Sequence, residues 1–161
     1  MNNKFRVLII TLIAVLTISG HGYAQDTKPT APVQQQQTVY TQVNALDMVA
    51  YPANYLNKKV TVKGKFDKFS TLGLDYAPAM RSSEEYITFL IQRDDVKDHN
   101  IPLSEMKVFL KRTEAEKHID LNAGDEIEFS GTVFSNALGD VWMDAEKFTV
   151  LTQKTKEEAK K

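Results

Sequence analysis

Three stretches of this sequence combine residue types that could do chemistry. Ser104 and Lys107, in SEMK, have the serine-x-x-lysine spacing of an acyl-transfer nucleophile and its base. That chemistry needs a helix opening at the serine, whereas SEMK leads into an alternating segment that sends Ser104 and Lys107 to opposite faces. The companion motifs of such enzymes are absent as well, so the tetrapeptide reads as coincidence. His99 stands among Asp94, Asp95 and Asp98, oxygen donors suited to a hard cation. The regular D-x-D-x-D-G spacing that wraps oxygens round calcium is missing, and a solvated acidic turn is the simpler reading. Glu114 and His118 lie four apart on a short helical stretch, where pairing in water is commoner than sharing a metal.

The chain has no cysteine, which removes disulfides, thiolate zinc sites and thiol nucleophiles together. It also has no glycine-rich phosphate loop, H-E-x-x-H or G-x-S-x-G. The residues thus point to no enzyme, no cofactor and no metal site. What remains is a binding pattern: Lys107, Phe109 and Lys111 alternate along one segment, and Thr88, Leu90 and Gln92 along another. An aromatic and an aliphatic side chain set between cations resemble a platform on which flat groups stack and charges are neutralised.

Positioning those residues falls to strands. In residues 58–70, Val60, Val62, Gly64 and Phe66 alternate with Thr61, Lys63, Lys65 and Asp67. In residues 85–93, Ile87, Phe89 and Ile91 face the core, because β-branched and aromatic side chains fill a pleated surface best. Met106, Val108 and Leu110 do the same in residues 106–112. A short helix follows, with Thr113 as N-cap and Glu116 three residues on. Ile127, Phe129, Gly131 and Val133 alternate with Glu126, Glu128, Ser130 and Thr132, and residues 141–151 return as a fifth strand. The parity of that last strand breaks near residues 145–147, which predicts a bulge and leaves open which way Trp142 points. Before the strands, Val43, Leu46, Val49 and Ala50 share one face of a short N-terminal helix that Pro52 closes.

A mainly β chain of five strands, with a short helix between strands 3 and 4, has the order of the OB-fold, a five-stranded Greek-key barrel. Gly64 and Gly131 favour closure over an open sandwich, since inward glycines let long strands coil sharply. The segments YPANYLNKKVTVKGKF and LNAGDEIEFSGTV, with their V-x-V-x-G and L-x-x-G-D patterns, resemble exported bacterial OB-fold proteins of the tRNA-anticodon-binding-like group. The resemblance spans residues 43–151 and implies the fold, an envelope location and nucleic-acid binding as an option; it carries over no functional residue.

On that fold a polymer would lie across strands 2 and 3, over Thr88, Leu90, Gln92, Lys107, Phe109 and Lys111. The loop of residues 71–85 would flank it with Tyr76 and Arg81, and Trp142 would stand at the other side. The alternative is that the N-terminal helix or that loop covers Leu90 and Phe109 and makes them a second core.

Residues 1–24 read as a secretory signal: Lys4 and Arg6 precede an apolar run from Val7 to Ile18, and small residues stand at Gly22 and Ala24. At about 1.5 Å per residue that run spans roughly 18 Å, short for a bilayer of about 30 Å. Residues 25–40, rich in Gln, Pro and Thr, are expected to form a flexible spacer before a domain of residues 41–152 and a charged tail, 153–161. Without the two signal cations, 18 Lys and Arg face 21 Asp and Glu, a formal net charge of −3. Bulk attraction to nucleic acid is therefore not indicated, and export argues against it too. The expected partner is a protein or an envelope glycan met in the periplasm or outside the cell, with single-stranded nucleic acid binding, or an enzyme whose site no motif reveals, as the alternatives.

Overall fold

The structure is a computed structural model and describes residues 38–97 and 101–153. The signal, most of the spacer, Asp98, His99 and the charged tail beyond Gln153 lie outside the described residues. Six strands form one sheet: β1 (Thr41–Val43), β2 (Lys59–Ser70), β3 (Tyr86–Ile91), β4 (Met106–Lys111), β5 (Glu126–Ser135) and β6 (Val141–Thr152). Their order is β1-β2-β3-β4-β6-β5, and a further β2–β5 pairing closes β2 to β6 into a five-stranded barrel. The parallel pair β4–β6 and the otherwise antiparallel barrel neighbours are the Greek-key arrangement of the OB-fold.

Closure depends on β2 serving two partners. Its first half, Lys59 to Lys65, pairs with β5, and its second half, from Phe66, pairs with β3 across a bulge between Phe66 and Lys68. Gly131 makes the crossing on the opposite wall: a Cβ built there would stand 1.7 Å from the Asp144 carbonyl oxygen, so no other residue fits. Gly64 is less constrained, since an added Cβ would meet only the Ile91 side chain at 3.2 Å. The expected break in β6 is present, with Ser130 opposite Lys147 and Gly131 opposite Ala145, which leaves Glu146 as the extra residue. The L-x-x-G-D turn also has a structural role: the Asp125 carboxylate accepts the Asn122 amide at 2.8 Å, and the Asp125 carbonyl ties the turn to Phe66.

Inside the barrel, Phe89 meets Phe129 and Phe148 edge to face at 5.0 and 5.2 Å, among Val60, Val62, Ile91, Val108, Leu110 and Ile127. To the same core α1 (Ala45–Ala50) adds Ala45 and Met48, both buried. Of the expected face, Leu46 and Val49 pack partly buried against the core and Ala50 is exposed, while Asn44 caps the helix through the Leu46 amide at 2.8 Å. Val43 instead belongs to β1, a short strand parallel to β2 that the alternation did not reveal. Beyond β4, α2 (Arg112–Ala115) continues as a 3₁₀ turn, Glu116–His118. Its cap position is Lys111 rather than Thr113, and no side chain caps it.

Candidate partner-binding surface around Trp142

The expected platform strands 2 and 3 are β3 and β4, and their outward side chains are not free. Thr88, Leu90, Gln92, Lys107 and Phe109 are all buried, Phe109 completely (0% exposed), and so is Trp142 on β6 (1%). The proposed open platform is therefore corrected: the loop of residues 71–85 folds back as a strap and builds a second apolar cluster from Ala79, Phe109 and Trp142, flanked by Leu74, Tyr76, Tyr86, Phe134 and Ala137. Leu90, Gln92 and Thr88 belong to the same buried side of β3, where the Thr88 hydroxyl donates to the Ser70 carbonyl at 2.7 Å.

The indole of Trp142 is central to this cluster. Tyr76 stacks on it at 5.2 Å and 22°, and Phe109 stacks on it at 5.9 Å and 14°. Its Nε1–H donates to the Ala137 carbonyl at 2.7 Å, which fixes the direction the alternation left open. A Cβ on Gly73 would come within 2.9 Å of the ring, so the strap passes directly against it.

The cations are engaged as closely as the rings. Arg81 forks onto Asp144, with Nε and Nη2 donating at 2.7 and 2.5 Å, and its guanidinium lies 3.8 Å from the centre of the Phe134 ring. The hydrogen bond to Asp144 holds the Arg81 pKa above its ordinary value. Lys107, 9% exposed, donates to the Ser104 carbonyl at 2.8 Å and forms an ion pair with Asp140. Its ammonium is thus committed, and the Ser104 hydroxyl turns to Glu105 instead, so the two residues of SEMK form no nucleophile and base.

Lys111 stands apart from this group. It is exposed and lines a cleft of about 480 Å³ with Tyr86, Thr132 and Glu146, where β6 bulges away from the end of β4. The carboxylates of that cleft have partners of their own. Glu146 accepts from Thr132 at 2.6 Å and Tyr40 at 2.8 Å, and the Thr132 bond first among these holds its pKa below the usual carboxylate value. Glu114 is paired with Lys117 at 2.6 Å and His118 at 3.3 Å, and no group of three potential ligands that could hold a metal occurs among the described residues.

Of the eight exposed large apolar side chains among the described residues, which include Val39 and Ile119, three are Leu72 (38%), Met80 (51%) and Leu138 (74%). Each follows or precedes by one position a residue of the Trp142 surroundings, namely Gly73, Ala79 and Ala137. They therefore adjoin, along the chain, residues packed round the buried indole. Leu138 is also held at φ 61°, ψ 13° in the turn closed by Asp140 N–H to the Ala137 carbonyl, in the left-handed region that leucine disfavours. The sequence reasoning missed Asp140, Asp144, Phe134 and Leu138. A usable signal existed for Asp144, which lies two residues from Trp142 and so shares its face.

No family model matches the chain, and no curated protein does. Among solved structures, asparaginyl-tRNA synthetase from Pyrococcus horikoshii is similar at 18% identity, over 70% of this chain and 23% of that one, with a TM-score of 0.45. The same enzyme complexed with asparaginyl-adenylate is similar at 19% identity, over 63% and 21%, with a TM-score of 0.41. An OBody bound to hen egg-white lysozyme is similar at 14% identity, over 63% of this chain and 85% of the OBody, with a TM-score of 0.41. This chain spans less than a quarter of the length of those synthetase chains.

Proposed function

We propose that the chain is an exported, non-catalytic OB-fold module that binds a protein through the loop end around Trp142. The observation that carries this reading is Leu138, an apolar side chain 74% exposed and held in a left-handed turn that costs about 1 kcal/mol. Folding gains nothing from displaying it, whereas a partner's apolar pocket would. Leu72 and Met80 extend the same rim. A protein fits better than an envelope glycan, since sugars stack on exposed rings and the rings here face one another. Single-stranded nucleic acid fits worse still: the cations Lys107 and Arg81 are matched by the carboxylates of Asp140 and Asp144, which leaves this pair of sites no net positive charge for a phosphate backbone. The signal layout of residues 1–24 supports export and an envelope or extracellular partner.

The test compares wild type with Leu138→Asn as bait for envelope extract. Asparagine suits the turn, so the variant is expected to fold at least as well and to lose the captured protein. Capture that survives the substitution, or oligonucleotide binding that falls steeply with salt, sinks this reading.

A further inference from the structure

Resting on that protein-binding reading, we infer that the strap is a displaceable occupant of the Trp142 face, and that what displaces it is a peptide segment carrying an aromatic residue and, five positions on, an arginine. The strap is its own template. Tyr76 supplies a ring stacked on Trp142, and Arg81 supplies a fork to Asp144 across 63 positions of sequence, capped by its seat on Phe134. Between those anchors only Ala79 is buried, while Ala77, Pro78 and Met80 face solvent.

The backbone of this stretch makes no ladder with the barrel. Its hydrogen bonds close within the strap, from Tyr76 to Gly73, Ala79 to Tyr76 and Asp75 to Arg81. The strap's backbone is tied outward only at its far end, where the Ser83 and Glu85 carbonyls accept from Arg112; the stretch from Tyr76 to Arg81 is held as a bound peptide is held, by side-chain anchors.

The rim and the face then act in order. Leu72, Met80 and Leu138 make the first contact, and the partner's aromatic residue and arginine replace Tyr76 and Arg81 over Trp142 and Asp144. Specificity follows from the same geometry, because a lysine cannot fork onto Asp144 as a guanidinium does.

Trp142 is the only tryptophan of the chain, so its fluorescence reports this face alone. In the full chain carrying Tyr76→Ala and Arg81→Ala, acrylamide quenching of Trp142 is expected to rise several-fold while the far-ultraviolet circular dichroism of the barrel is kept. A synthetic peptide of residues 71–85 is expected to restore wild-type protection, and the same peptide with alanine at both anchor positions is not. If the double variant loses the barrel, Arg81→Gln carries the identical test. Wild-type quenching in a folded variant, failure of the peptide to protect, or loss of the barrel in both variants overturns the inference. Should the peptide fail while Leu138-dependent capture persists, the protein-binding reading stands without this one. Should the peptide protect while capture is lost to no substitution at Leu138, the face stands and that reading falls.

Discussion

The two outer sides of this barrel start from the same alternation of side chains and end as different materials. On the β2–β5 side, Lys63 meets Glu128 at 3.5 Å, Thr61 meets Ser130 at 2.7 Å, and Lys59, Lys63 and Lys65 remain in water. On the β3–β4–β6 side, the residues pointing away from the core are buried again, with rings stacked and cations locked onto carboxylates. The difference lies in what can reach each side. Residues 71–85 are long enough to return over β3, β4 and β6, while the β5–β6 connection is short and only tips the indole. A charged residue facing outward from a strand is therefore not evidence of a wet surface when a long loop starts beside it.

Substitutions should separate the two sides sharply. Phe109→Ala is expected to destabilise the chain by about 3–5 kcal/mol in chemical denaturation, a loss proper to a core residue rather than a surface one. A loss below about 1 kcal/mol would mean that the strap does not pack as described. Arg81→Gln breaks the fork to Asp144, and since both side chains keep about a quarter of their exposure the expected loss is only about 1 kcal/mol. Leu138→Asn should move the other way, raising stability by about 1 kcal/mol through relief of the left-handed leucine. On the opposite side, Lys63→Ala should change stability by less than about 0.5 kcal/mol, as exposed ion pairs do. A larger effect there would erase the contrast.

The junction between the sides titrates. Glu146 has a folded pKa below its ordinary 4.5, from its bonds to Thr132 and Tyr40 and the nearby Lys59. A depressed carboxylate stabilises the fold above the unfolded pKa, and that contribution is lost as pH falls from about 4.5 through the folded value. Melting temperature should therefore fall less steeply with acid in Glu146→Gln than in wild type over that window, and parallel curves would remove Glu146 from the explanation.

The barrel was legible because closing it uses local periodicity. Val60 with Val62, Ile127 with Phe129, and the parity break that became the Glu146 bulge all declare themselves within a few residues. β1 escaped because Thr41 and Gln42 are polar and exposed and its pairing is parallel and distant. The strap stayed one of two alternatives for a deeper reason. Tyr76 with Trp142 and Arg81 with Asp144 are pairs without a period, fixed by where a loop lands and not by any pattern along the chain. The residues could thus be named as a group, Tyr76, Arg81, Lys107, Phe109 and Trp142, and burial of Leu90 and Phe109 under the loop stood as one of two readings, but no pattern along the chain decided between them.

The most direct test of the covered face is the hydrogen exchange of the Trp142 indole N–H, followed by NMR on the wild-type protein. Bonded to the Ala137 carbonyl beneath the strap, it should exchange slowly and show nuclear Overhauser contacts from its ring to both Tyr76 and Phe109. Exchange at the rate of a solvent-exposed indole, with no contact to Tyr76, would mean that the face is open and that the strap does not cover it.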